Sequence, residues 1–213
     1  MELIDLRVDT VAPLIVVDID EVLAMFMRGF ETFVGTKGLE MRIDRFALFQ
    51  NIYRPGESEH LDLAAGRVLF EEFFEHAVGE IDVAPGAVDA LARLADRASI
   101  VILTNAPAHS RPARVRWLAK HGFPYPMIVN SGLKGSAVAA LSRRTAGPAA
   151  FVDDLLPNLD SVETEAPSVH RFQMVADERL RPLAYGAPDR HRRIDDWATL
   201  GDELAAALRL ARR

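Results

Sequence analysis

Two carboxylates follow the first apolar run of the chain, in the stretch Ile15-Val16-Val17-Asp18-Ile19-Asp20-Glu21-Val22-Leu23. The run over residues 12–17 is rich in Val and Ile, which predicts a β-strand buried on both faces. Alternation along an extended chain puts the Asp18 and Asp20 side chains on the same side. Carboxylates so close repel each other, and a bound divalent cation relieves that repulsion. An Asp after a strand also commonly starts a turn, so this pair alone decides nothing.

Helices and strands alternate from residue 84 onwards. The apolar patterns predict strands over residues 99–103, 127–129, 149–152 and 169–175, and helices over residues 87–97, 110–121, 136–144 and 196–213. Such alternation predicts an α/β, Rossmann-like fold: a mostly parallel sheet sandwiched by helices. Residues 186–195 are polar and rich in Arg and His, and we expect a surface loop there.

Residues 24–83 interrupt this pattern directly after the first strand. Phe26, Phe30 and Phe33 recur at helical spacing, and residues 61–78 form a second helical pattern with its own phenylalanines. Gly and Pro separate the two. We therefore predict a catalytic core of residues 1–23 and 84–213, with residues 24–83 as a small inserted helical cap.

Polar residues stand at the ends of the other predicted strands, where parallel sheets bind ligands. Thr104-Asn105 ends the second strand, and Asp153-Asp154 ends the strand from residue 149. Lys134, one of only three lysines in the chain, precedes a helix. Each has an ordinary interpretation: Thr is common at strand ends, Lys is usually solvated, and Asp caps helices and turns.

Taken in order, these motifs resemble those of the haloacid dehalogenase superfamily of hydrolases. The matching segments are Ile15-Val16-Val17-Asp18-Ile19-Asp20-Glu21-Val22-Leu23, Val101-Ile102-Leu103-Thr104-Asn105, Lys134-Gly135 and Ala150-Phe151-Val152-Asp153-Asp154. The resemblance is to phosphatase-type members with a helical cap after the first strand. Glu21 stands where the family often has Gly.

The resemblance implies a mechanism and a magnesium site. Asp18 would attack phosphorus and form an aspartyl-phosphate, while Asp20 would protonate the leaving oxygen and then activate water. Thr104, the Asn105 backbone N–H and Lys134 would hold the phosphoryl group. The expected Mg²⁺ ligands are the Asp18 carboxylate, the Asp20 backbone carbonyl and Asp154, with Asp153 behind them.

Other functions remain open at this point. A phosphonate hydrolase or phosphomutase shares the fold, and the phosphonate hydrolase needs a cap lysine, for which Lys37 is the one candidate. A non-catalytic binding protein is a third possibility. Asp20 argues against dehalogenation, because a halide leaves without a proton.

The cap resembles that of 5'(3')-deoxyribonucleotidases, which makes a nucleoside monophosphate the first substrate to consider. Its aromatic residues could stack on a planar leaving group, although most are expected to form the cap's own core. A second set, of basic cap residues, could contact a polar or anionic group: Arg28, Arg42, Arg45, Arg54 and His60.

The composition limits the classes of partner that we expect the chain to bind. A net charge of −6 and a pI near 5.5 argue against binding a nucleic acid polymer, but not against a small phosphorylated metabolite. The chain has no cysteine, which excludes disulfides and fits a cytoplasmic location. Charged residues near the N-terminus argue against a signal peptide, and apolar runs are too short for a membrane span. The oligomeric state stays undecided.

Overall fold

The computed structural model describes residues 9–210. The charges at residues 2–7, used above to argue against a signal peptide, lie outside the described residues. So do residues 211–213 of the predicted closing helix. Over the described range, every helix is too short or too polar to cross a membrane.

Strands and helices alternate along most of the described chain. In order they are β1 (Leu14–Val17), α1 (Phe26–Thr36), β2 (Glu40–Met41), β3 (Ile52–Tyr53), α2 (Leu63–His76), α3 (Ala87–Ala95), β4 (Ser99–Thr104), α4 (Arg111–Lys120), β5 (Met127–Val129), α5 (Gly135–Ser142), β6 (Ala149–Asp153), α6 (Leu156–Glu165), β7 (His170–Gln173), β8 (Arg192–Arg193) and α7 (Trp197–Ala207). Single turns of 3-10 helix cover Phe49–Asn51, Val78–Glu80 and Ala108–Ser110.

Six of the strands between residues 9 and 210 form one parallel sheet in the order β5-β4-β1-β6-β7-β8. Strand β1 lies inside the sheet, with Val17 opposite Ile102 of β4 on one side and Val152 of β6 on the other. The predicted α/β, Rossmann-like class is therefore confirmed. This order also brings the carboxyl ends of β1, β4 and β6 side by side.

A hydrophobic core lies on each face of the sheet. All four residues of β1 are fully buried, as its apolar composition predicted. Ile15 and Val17 belong to the core that includes α3, α4 and α7, whereas Leu14 and Val16 belong to the core that includes α5 and α6. The alternation of side chains along a strand explains this division, and it fixes the register of β1.

The segment between β1 and α3 holds α1 and α2, which pack through phenylalanines. The Phe73 ring centroid lies 5.5 Å from that of Phe26 and 5.3 Å from that of Phe30, both edge-on. Ala24 and Val83 form an antiparallel bridge, so this segment leaves and re-enters the rest of the chain at neighbouring points. The division into core and cap at residues 24 and 83 stays a prediction.

Four elements were absent from the sequence-based expectations. Helix α6 was not predicted, although Pro157 in its first turn is a typical helix start. Strand β8 lies within the expected loop of residues 186–195 and makes β7 an internal strand; two arginines carry no apolar pattern that would reveal it. The antiparallel pair β2–β3 is equally short.

Candidate active site

Lys134 lies at the centre of a buried ion-pair cluster at the carboxyl edge of the sheet. It caps the start of α5, and its side chain is fully buried. Its Nζ lies 2.7 Å from Asp153 Oδ2, to which it donates a hydrogen bond, and 2.8 Å from Asp18 Oδ1 as an ion pair without hydrogen-bond geometry. Burial by itself would lower the pKa of Lys134, but the Asp153 and Asp18 carboxylates outweigh it and raise that pKa. The ammonium therefore stays charged.

Three carboxylates crowd around this ammonium. Asp18, Asp153 and Asp154 are all buried, and each offers an oxygen within 4.8 Å of the others. Burial raises the pKa of Asp18 to about 7 against the lowering effect of Lys134, and Asp153 and Asp20 raise it further. Burial, then Asp153 and Asp18, also raise the pKa of Asp154 well above its ordinary value. One ammonium cannot offset three carboxylates, which is the electrostatic setting that a divalent cation fits.

Asp153 and Asp154 differ in how many of their oxygens are occupied. Asp153 Oδ1 accepts hydrogen bonds from the Leu155 N–H at 3.0 Å and from Asn158 Nδ2 at 2.9 Å, while Lys134 occupies Oδ2. No described residue donates a hydrogen bond to the Asp154 carboxylate. The donor set therefore fits a hard cation held by Asp18 and Asp154, with Asp153 orienting the lysine.

Thr104 is the last residue of β4, and Asn105 follows it. Thr104 is fully buried, and within the described chain its hydroxyl Oγ1 has no hydrogen-bond partner. The Asn105 side chain donates to the Gly132 carbonyl at 2.9 Å and accepts from Asn130 Nδ2 at 2.8 Å. These bonds tie together the loops after β4 and β5. These bonds hold the Asn105 side chain, and the phosphate contact of its backbone N–H stays a prediction.

The Asp20 carboxylate lies outside the three-carboxylate group. Its Oδ1 pairs with Nη2 of Arg114, a fully buried residue of α4. We expected the Asp18 and Asp20 carboxylates to share a cation, but the chain bends at residues 21–23 and the Asp20 side chain turns to the arginine. The predicted metal contact of Asp20 through its backbone carbonyl stays a prediction.

Sequence reasoning missed Arg114 and Asn158. Arg114 shares a helical stripe with the buried Trp117 and Leu118, so its place on the inner face could have been found from spacing alone. Asn158 lies in the first turn of α6, directly after the Asp153-Asp154 pair, and the helix was not predicted.

Glu21 occupies backbone space that glycine favours. Its φ is +57°, in the left-handed region, which glycine adopts without steric cost. The Glu21 carboxylate accepts hydrogen bonds from the Met27 N–H at 2.7 Å and the Asp177 N–H at 3.0 Å. Burial raises its pKa to about 7. These two bonds connect the start of α1 with the loop after β7.

A cavity of about 220 Å³ opens beside the cluster. Its polar side comprises Asp18, Asp20, Glu21, Asn105, Lys134, Asp154 and Asn158. Its apolar side comprises Phe26, Met27, Phe46, Ala47, Leu48, Phe70, Leu155 and Leu180. Phe26, Phe46 and Phe70 therefore line the cavity. Phe26 also belongs to the hydrophobic core, together with Phe30, Phe33, Phe73 and Phe74.

The five basic cap residues considered above do not line this cavity. Arg28 pairs with Asp177 and Glu178. Arg42 pairs with Glu40 and Arg54 with Glu57, while Arg45 is exposed. His60 Nδ1 lies 2.7 Å from the Leu61 carbonyl oxygen. Among the described residues, Lys134 is the one basic side chain facing the cavity.

A second cluster of potential ligands, Asp160, Glu163 and His191, lies away from this cavity. Arg190 Nη1 lies 2.6 Å from Asp160 Oδ1 and 3.1 Å from Glu163 Oε2, and His191 Nε2 lies 2.7 Å from Asp160 Oδ1. Arg171 Nη2 also lies 3.2 Å from Glu163 Oε1, so two arginines balance the two carboxylates and the cluster is an ion-pair network.

The fold is the haloacid dehalogenase-like α/β fold that the motifs indicated, and solved structures with this fold are similar to the chain. A haloacid dehalogenase-like hydrolase from Xanthomonas campestris is 13% identical, with a TM-score of 0.55 over 94% of this chain and 98% of that chain. A haloacid dehalogenase-like family protein from Streptococcus pneumoniae is 12% identical, with a TM-score of 0.59 over 91% and 98%.

A predicted phosphoglycolate phosphatase from Haemophilus somnus is also similar. It is 12% identical, with a TM-score of 0.57 over 90% of this chain and 97% of that chain. No protein-family model matches the chain, and no curated protein matches it significantly.

Proposed function

We propose that this protein is a Mg²⁺-dependent phosphohydrolase that cleaves a small phosphate monoester through an aspartyl-phosphate on Asp18. One observation carries the proposal. Asp18 lies between a buried ammonium and two further buried carboxylates, at the wall of a cavity. Phosphoryl transfer needs positioning and charge neutralisation of this kind.

Two half-reactions follow from these positions. In the first, an Asp18 oxygen forms a bond to phosphorus, the ester P–O bond breaks, and the leaving oxygen keeps the electron pair and takes a proton from Asp20. In the second, Asp20 removes a proton from water as the water oxygen bonds to phosphorus and the Asp18–phosphorus bond breaks. The products are the alcohol and inorganic phosphate. Lys134 offsets negative charge on Asp18 and the phosphoryl group. Thr104 would donate to a phosphoryl oxygen, although its buried hydroxyl does not line the cavity.

Asp18, Asp154 and the Asp20 backbone carbonyl would hold Mg²⁺. When bound, the ion supplies positive charge to the phosphoryl oxygens and to the crowded carboxylates. Asp153 keeps Lys134 in place through the 2.7 Å hydrogen bond.

The apolar wall of the cavity supports a substrate with an uncharged, planar leaving group. Phe26, Phe46 and Phe70 can stack on a ring. No basic cap side chain is among the described residues that line the cavity, so a second anionic group on the substrate would have no cap residue to pair with. A nucleoside monophosphate, whose nucleoside is neutral and planar at the base, is our first candidate among small phosphorylated metabolites. The cysteine-free composition supports a cytoplasmic location.

Phosphonate hydrolysis is less well supported, because Lys37 does not line the cavity. Its Nζ lies 2.5 Å from Glu72 Oε2, and its side chain is 39% exposed. A Schiff-base lysine needs contact with the substrate carbonyl.

The test compares the purified chain with Asp18→Asn on 4-nitrophenyl phosphate and on a panel of phosphate monoesters, with and without Mg²⁺. We expect Mg²⁺-dependent hydrolysis by the parent and a loss of at least about 10³-fold in the variant. Asp202→Asn, at an exposed position of α7, is the matched control and should keep full activity. Hydrolysis that survives in Asp18→Asn contradicts the proposal. A folded, Mg²⁺-loaded protein that hydrolyses none of the panel instead supports a binding role.

A further inference from the structure

Arg114 is the ion-pair partner of the proposed acid and base, and it is inaccessible to substrate. Its side chain is fully buried and does not line the cavity, whereas the Asp20 side chain is 23% exposed and does. Any effect of Arg114 on the reaction must therefore pass through Asp20 or through packing.

The Arg114 guanidinium has hydrogen-bond donors that no described acceptor satisfies. Within the described chain, Nε and Nη1 have no hydrogen-bond partner, and only Nη2 is paired, with Asp20 Oδ1. The Phe74 ring of α2 lies below the guanidinium, 4.9 Å from its carbon to the ring centroid. A buried arginine with unused donors is a weak source of stability, because desolvation offsets the attraction to its partner. The burial of Arg114 is therefore better explained by an effect on Asp20 than by a gain in stability.

The pairing leaves the two Asp20 oxygens in different situations. Oδ1 is held by Arg114, while no described residue donates a hydrogen bond to Oδ2. Since Asp20 lines the cavity, this fixes the carboxyl group in one orientation while keeping one oxygen for proton exchange with the leaving group. Correct placement of a general acid is a precondition for its contribution.

Arg114 also joins the two parts of the chain that enclose the cavity. It belongs to α4 of the predicted catalytic core, and its stacking partner Phe74 belongs to α2 of the predicted cap. Phe74 in turn lies 4.6 Å, centroid to centroid, from Phe70, which lines the cavity. A continuous chain of contacts thus runs from the apolar wall to the proton-transferring carboxyl group.

We propose that Arg114 is a positioning residue that holds Asp20 in the orientation needed to protonate the leaving oxygen. This inference rests on the proposed phosphohydrolase function. It predicts that loss of Arg114 lowers kcat/KM most for substrates whose leaving oxygen needs a proton.

The experiment compares kcat/KM for phenyl phosphate, whose leaving group needs a proton, with that for 4-nitrophenyl phosphate, whose leaving group departs as a stable anion. The constant kcat/KM reports the steps up to formation of the aspartyl-phosphate. Arg114→Met should lower it about 10²-fold on phenyl phosphate and less than about tenfold on 4-nitrophenyl phosphate. Arg114→Lys keeps the charge and should recover part of the loss on phenyl phosphate.

Two controls define the outcomes. Arg116→Met, at an exposed position of the same helix, should leave both constants unchanged. Adding Arg114→Met to Asp20→Asn should cost little beyond Asp20→Asn alone, because both changes remove the same contribution. If Arg114→Met does not fold, Arg114→Lys carries the test and must show the same leaving-group bias. Equal losses on both substrates, or no loss, overturn the inference. A parent protein that hydrolyses neither substrate refutes the proposed function instead.

Discussion

The ammonium of Lys134 lies 2.7 Å from Asp153 Oδ2 where neither side chain is exposed to solvent. Such a pair is costly to bury and costly to break, because each partner would otherwise be an isolated charge in the interior. With Asp18 and Asp154 in the same group, one ammonium faces three carboxylates, and burial raises the pKa values of Asp18 and Asp154. A divalent cation bound there would favour the ionised carboxylates.

Replacing Lys134 with Met should harm both stability and activity. The change leaves Asp18 and Asp153 without their buried counter-charge, for which we expect about 3 kcal/mol lower free energy of unfolding. It also removes positive charge from the phosphoryl group, lowering kcat by at least about 10²-fold. Urea unfolding and steady-state kinetics measure the two effects. Activity within threefold of the parent would show that Lys134 has only a structural role.

Changing Asp154 to Asn should affect the Mg²⁺ dependence of activity, whereas changing Asp153 to Asn should affect stability. Asp154→Asn should raise the Mg²⁺ concentration needed for half-maximal activity by at least about tenfold, because it removes a proposed direct ligand. Asp153→Asn should mainly destabilise the fold, by about 2 kcal/mol, through the weakened bond from Lys134. Mg²⁺ titrations of activity, with urea unfolding of the metal-free variants, separate the two. A larger Mg²⁺ effect at Asp153 than at Asp154 would reverse the assignment.

Stability of the metal-free protein should fall as the pH rises from about 5 to 7. Burial raises the pKa of Asp18 from 3.8 to about 7, so the folded state holds a proton that the unfolded chain releases. The stabilisation is complete below about pH 4 and is lost through pH 7, at up to about 1.4 kcal/mol per pH unit. Glu21, with a pKa raised to about 7, acts in the same direction.

Asp18→Asn should flatten that slope, because the amide does not titrate. Thermal or urea unfolding in chelator-treated buffers from pH 5 to 8 provides the comparison. Parallel pH profiles for parent and variant would show that Asp18 does not titrate in this window.

Phe70 should contribute to substrate affinity rather than to chemistry. Its ring lines the cavity, so Phe70→Ala should raise KM for aryl phosphates about fivefold, the equivalent of ~1 kcal/mol of stacking, with kcat little changed. Val68→Ala, on an exposed face of the same helix, is the control. An unchanged KM for aryl and nucleoside monophosphates would place the leaving group elsewhere.

The strands that carry the site could be predicted because burial on both faces leaves a continuous apolar run, as in β1 and β4. The ordered polar residues after them indicated the fold family. The Arg114–Asp20 pair could not be predicted, since its partners are 94 residues apart and meet only in the folded chain. Strand β8 escaped detection because two residues carry no periodicity, and α6 because its pattern is mixed.

Covalent labelling of Asp18 tests the central claim most directly. The Asp20→Ala variant should still accept a phosphoryl group from 4-nitrophenyl phosphate but hydrolyse the product slowly, because it lacks the base that activates water. After acid quench and proteolysis, mass spectrometry should find one phosphoryl group on the peptide containing Asp18, and none in the same experiment with Asp18→Asn. Substrate turnover with no phosphoryl group on Asp18, or with one on another residue, would contradict the account.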